Sequence, residues 1–141
     1  MLSVDVVTDV GKGLITGLLL GSPIKYMGWG TGTGTAEGYD VVLFGEVSSS
    51  ATDSNGYNCR VECTIAQVTT NSTNDTFQIT GTLIAPGTLT ISNIGVFDAP
   101  GGVSDSVPPS GGNLFLHASL TTPLTYTVGQ QITFVLNYVV S

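Results

Sequence analysis

The stretch RVECTIAQVTTNSTNDTFQITGTLI, residues 60–84, decides the fold. Its second half alternates strictly, with Phe77, Ile79, Gly81 and Leu83 on one side and Thr76, Gln78, Thr80 and Thr82 on the other. A period of two is that of a strand with one face in a core and the other in water. The first half sets Val61, Cys63, Ile65 and Gln67 against Glu62, Thr64, Ala66 and Val68, which predicts one strand from Arg60 to Thr69. Between the two, Asn71-Ser72-Thr73-Asn74-Asp75 is a cluster of turn formers, so the strands pair as an antiparallel hairpin.

The same texture continues on both sides. Strands are expected at Ile24–Trp29, Thr88–Phe97, Asn113–Leu120 and Gln131–Val140, while Tyr39–Val47 reads as either a strand or a short helical turn. The Pro/Gly/Ser-rich run from Ala99 to Gly112 is a long loop hanging off the sheet. A single helix is expected near residues 9–20. There Val10, Leu14, Ile15, Leu18 and Leu19 share a face, Thr8 or Asp9 caps the start, and Gly21-Ser22-Pro23 ends the run. Gly11, Gly13 and Gly17 each weaken this helix by about 1 kcal/mol relative to Ala, so it needs tertiary packing to persist. The expected class is mainly β, an antiparallel β-sandwich or jelly-roll-like fold with one short N-terminal helix. Residues 1–23 form an arm and helix, and residues 24–141 form the sandwich domain. Its core is expected at Phe77, Ile79, Leu83, Ile94, Val96, Phe134 and Leu136, together with one of Tyr26 and Trp29.

Composition narrows the function. The chain has 141 residues, of which only 9% are charged, against about 25% in an average soluble domain. Three basic and ten acidic residues give a net charge of −7. Lys12, Lys25 and Arg60 are scattered, so neither the phosphate footprint of a nucleic-acid binder nor attraction to anionic lipid is expected. Mean hydropathy is +0.34, yet no apolar run approaches the ~20 residues of a membrane-spanning helix. The first residues carry Asp5 and Asp9 ahead of any lysine, unlike a secretory signal, which points to synthesis in a reducing cytosol.

Catalytic motifs are weak. The run GWGTGTGT, Gly28–Thr35, lacks both the dinucleotide-binding spacing and the Lys-Ser/Thr close of a phosphate loop, and reads as a glycine-rich turn that lets strands cross closely. His117 is the only histidine; it reads as a neutral, partly exposed strand residue, with no nucleophile-elbow sequence to serve. A cation site in the glycine-rich loop would draw on Glu37 and Asp40. Cys59 and Cys63, about 13 Å apart on one strand, lie beyond the ~7 Å disulfide limit and lack partners for zinc, so they read as small buried hydrophobes. No enzyme, cofactor or metal is expected.

Three segments carry a resemblance: KYMGWGTGTGTAEGYDVVLFGEV, Lys25–Val47; NDTFQITGTLIAPGTLTISNIGVFDAPGG, Asn74–Gly102, with its ISNIGVFDA stretch; and GGNLFLHASL with LTYTVGQQITFVLNYVV, between Gly111 and Val140. Together they resemble small structural proteins of tailed bacteriophages, the capsid decoration or cement proteins. The resemblance implies a β-sandwich without enzymatic activity, usually a homotrimer, bound to the major capsid protein on the outside of the head at inter-capsomer positions. It implies neither nucleic-acid nor membrane partners. A tail-fibre or tail-adaptor role is the alternative. Sparse charge suits docking, because few ionic groups must be desolvated. Interface residues are expected in the amino-terminal segment at Leu2, Val4, Val6, Val7, Leu14 and Leu18. Met1–Val7 would add as a strand to a neighbour's sheet edge, and the Leu14/Ile15/Leu18/Leu19 face would pack on the sandwich or across the trimer.

Overall fold

A computed structural model describes residues 6–102 and 108–141. The described residues form helix α1 (Asp9–Leu20) and eight strands: β1 (Tyr26–Gly30), β2 (Glu46–Val47), β3 (Val61–Glu62), β4 (Thr64–Val68), β5 (Thr76–Ile84), β6 (Leu89–Phe97), β7 (Leu114–Tyr126) and β8 (Gln131–Val139). All pairing is antiparallel. One sheet has the order β2-β1-β6-β7, with β3 also pairing β1, and the second has the order β4-β5-β8. The protein is mainly β, with its two sheets packed as a sandwich.

Between the sheets lies one core. Met27, Trp29, Ile94 and Val96 from the larger sheet meet Phe77, Ile79 and Leu83 from the smaller. Phe134 and Leu136 pack against this cluster from β8 as partly buried side chains. Trp29, rather than Tyr26, is the aromatic taken fully inside, and its indole N–H donates to the Ser48 carbonyl. Gly81 keeps a gap in the β5 row, where a Cβ would stand 2.7 Å from the Cys63 sulfur and 3.0 Å from that of Met27.

Three elements depart from the sequence reading. The strand expected over Arg60–Thr69 is broken at Cys63: β3 pairs with β1 in one sheet, and β4 pairs with β5 in the other. The alternation is right, but period alone does not say which sheet each half joins. Strand β7 runs on past Leu120 to Tyr126 through Pro123, which is tolerated because β7 is an edge strand of its sheet. The Ala99–Gly112 loop does not hang free at its described ends. The Arg60 guanidinium donates to the carbonyls of Ala99 and Gly111, pairs with both Glu46 oxygens at 2.8 and 2.9 Å, and lies over the Phe97 ring.

The glycine-rich run has a specific purpose. Gly28 and Gly30 alternate with Met27 and Trp29, so their open positions line the outer face of the larger sheet. Residues 31–45 fold back across this lane as a strap. This segment is neither a strand nor a helical turn; it is a set of turns ending at β2. A Cβ on Gly30 would stand 2.3 Å from the Phe44 carbonyl oxygen, and one on Gly32 would stand 2.7 Å from the Phe44 carbonyl carbon. The Gly30→Ala variant is therefore expected to lose about 1–3 kcal/mol in urea unfolding. Gly38, at the open tip of the strap, has nothing within 4 Å, and Gly38→Ala should stay within about 0.5 kcal/mol.

Candidate functional site

Two features stand out: a polar clamp under the strap and an apolar stripe on the helix. The clamp centres on Asn93 of β6, whose side chain is 1% exposed. Its carboxamide oxygen accepts from the Phe44 N–H at 3.0 Å, and its amide group donates to the Phe44 carbonyl at 3.0 Å. The side chain thus pairs with Phe44 as a neighbouring strand would. His117 Nε2 lies 2.9 Å from the same Asn93 oxygen, and Nδ1 lies 2.7 Å from Asp40 Oδ2. Each ring nitrogen of His117 thus has an oxygen within hydrogen-bond distance.

This corrects the expectation of a partly exposed strand histidine: the His117 side chain is 4% exposed, and that of Asp40 is 9%. Sequence separation hides the pair, which only the folded-back strap brings together. An Asp–His pair is the start of a nucleophile-activating relay. Here the far ring nitrogen meets an amide, and the nearby Ser119 hydroxyl accepts the Ala36 N–H. Asp40 also accepts the Glu37 N–H at 2.7 Å, so its role is to hold the strap's own turn. Among the described residues no group of three or more His, Cys, Asp or Glu side chains could hold a metal ion.

The second feature is α1. Thr8 caps it by accepting the Gly11 N–H at 3.0 Å. Its attachment to the sandwich is largely polar. Thr16, fully buried, donates to the Asn74 carbonyl at 2.6 Å, while the Gln67 amide donates to Thr16 Oγ1 and to the Gly13 carbonyl. Only Leu19 of the helix packs against the central cluster. Of the expected Leu14/Ile15/Leu18/Leu19 face, Leu19 packs on the sandwich and Ile15 is half-buried, whereas Leu14 and Leu18 point outward together with Val10, at 66%, 78% and 76% exposure. Burying such side chains contributes about 1.5–3 kcal/mol each, none of which this chain realises by itself. Beside the stripe, a groove of about 1,070 Å³ runs between the helix and the turn residues Asn71–Asn74.

The remaining expected interface residues divide simply. Val6 and Val7 are exposed, and Leu2 and Val4 lie outside the described residues. A second exposed apolar group, missed from sequence, sits on the strap: Tyr39, Val41 and Val42, at 81%, 74% and 64%. Cys59 and Cys63 are free and buried; burial pushes both thiols up, Cys63 to about 12. The basic side chains are engaged within the chain, Lys12 with Asp9, Lys25 with Glu62 and Arg60 with Glu46.

Among the described residues, three carboxyls sit below their ordinary value of 3.8. The Glu37 N–H does this for Asp40, with burial opposing and His117 adding. Burial alone would raise Asp75, but N–H groups of Thr70, Ser72 and Asn71 and the Thr76 hydroxyl outweigh it. Asp98 is held down by the backbone and side chain of Asn113. A carboxyl lowered on folding stabilises above its unfolded value and ceases to do so as pH falls through the folded one. Urea midpoints should therefore stay level from neutral to about pH 5 and then decline. Asp75→Asn should lower the midpoint at pH 7 and flatten the acid decline. Asp40→Asn should speed hydrogen exchange at the Glu37 and Phe44 amides more than in β5.

The chain matches no family model, no curated protein and no solved structure.

Proposed function

We propose that this chain is a structural protein of a tailed bacteriophage: a decoration protein that binds the outside of the head at inter-capsomer positions, as a homotrimer on the major capsid protein. The observation that carries this reading is the outward Val10/Leu14/Leu18 stripe on a chain with 9% charged residues. A surface so poor in charge and so apolar in places is suited to being covered by protein. The resembling segments support the same reading. Lys25–Val47 supplies β1, the strap and β2; Asn74–Gly102 supplies β5 and β6; the stretch from Gly111 to Val140 supplies β7 and β8. The likeness thus takes in strands of both sheets and leaves outside it the helix and the stretch 48–73 that carries β3 and β4. The net charge of −7 keeps free copies dispersed before assembly.

The test is reconstitution. Purified protein mixed with undecorated heads should co-sediment to saturation and raise the temperature at which the heads release DNA. Binding to tails or tail fibres in place of heads would move the role to the tail. Binding to neither would overturn the reading.

A further inference from the structure

We infer that the groove beside α1 receives the strap tip of a second copy of this chain, Tyr39, Val41 and Val42, in a head-to-tail contact that repeats around a ring. The inference deepens the proposed homotrimer by naming its contact. Four observations lead to it. First, the groove is lined by Val10, Leu14 and Leu18 on one side and by Thr69 and the turn Asn71–Asn74 on the other, and among the described residues Asp9 is the only charged one in its lining. Asp9 is already engaged by Lys12 at 3.5 Å and by the Ser72 hydroxyl at 2.9 Å. An occupant without charge therefore fits, and a basic or acidic peptide gains nothing there.

Second, the chain itself carries a projecting group of that chemistry. The strap tip presents Tyr39, Val41 and Val42 at 64–81% exposure. Asp40 between them is turned inward onto His117, so the tip's one carboxylate in that run is already spent. Third, a chain cannot fill its own groove. The strap is pinned to β6 and β7 of the larger sheet through Asn93 and His117, whereas α1 packs on β4 and β5 of the smaller. A projection and a recess at separate places on one subunit make a heterologous contact, which gives a ring when the rotation closes and an open filament when it does not; the proposed trimer is the closed case.

Fourth, area argues against the simplest alternative, two α1 stripes packed face to face. A 12-residue helix is about 18 Å long and about 10 Å across, a footprint of about 180 Å². A stable pair needs about 800 Å² per partner. In a ring each copy gives a groove and a tip, so every copy is held twice.

Both patches are solvent-exposed, so single cysteines can be placed there without disturbing the core, and the native thiols are buried. Leu18→Cys/Val41→Cys, oxidised at micromolar concentration, should form covalent dimers and a closed ring species on non-reducing gels. An equimolar mixture of the two single variants should stop at a dimer. Val41→Ser and Leu18→Ser should each shift light scattering from oligomer toward monomer, with unchanged far-UV circular dichroism. Self-linking of Leu18→Cys alone, or an oligomer that survives both serine variants, would overturn the contact while leaving a trimer standing. A wild-type monomer that still saturates heads would overturn the contact and the trimer but not the head-binding role. A linked ring that ignores heads would keep the contact and remove that role.

Discussion

Asn93 grips Phe44 by both of its main-chain groups, and the outer layer of the larger sheet depends on that grip. Each neutral hydrogen bond is worth about 1 kcal/mol net, but a buried amide left without partners costs about 1–3 kcal/mol. The strap therefore lies down with Asn93 satisfied or lifts at considerable cost. The glycines are the other half of the constraint. Backbone lies directly against backbone where Gly30 and Gly32 meet Phe44, and any side chain there would hold the strap off and leave Asn93 unpaired. His117 and Asp40 complete the closure, and the Phe44 ring sits edge-on to the His117 ring at 4.7 Å.

Covering this face explains why β6 is buried without a break from Asn93 to Phe97. Ile94 and Val96 look into the sandwich, while Asn93, Gly95 and Phe97 look into the strap and the Arg60 cluster. The larger sheet has a second, thinner core of mixed character on its outside. One consequence concerns the tip: an apolar loop end is held out at a fixed place by a clamped base, at less entropic cost than a free loop would incur on binding.

Much of the architecture was legible in the sequence, and the reason is periodicity. Thr76–Ile84 has the bounds expected of it, because a clean alternation next to a turn cluster leaves little freedom. The helix also falls at Asp9–Leu20 between its cap and Gly21. What alternation cannot convey is a partner. Nothing local in Arg60–Thr69 says that the chain changes sheets at Cys63. Likewise, the helical apolar face was legible as a face, but which part of it packs on the sandwich and which turns outward was not, since Thr16 and Gln67 fix that orientation through hydrogen bonds between residues far apart in the chain. The clamp was the least visible part. Its one local sign was the alternation of Gly28, Gly30, Gly32 and Gly34, an empty lane on one face that some other segment had to fill.

The sheet change at Cys63 has a mechanical consequence. Cys63 alone separates β3 from β4, and its N–H donates to the Lys25 carbonyl at 2.7 Å, just ahead of β1. The sheets are thus joined by a covalent link with almost no slack. A loop-length connection would let one layer melt while the other stayed intact; a one-residue hinge transmits the loss of either layer at once. The sandwich is built to open as one cooperative unit, with neither layer able to melt far ahead of the other.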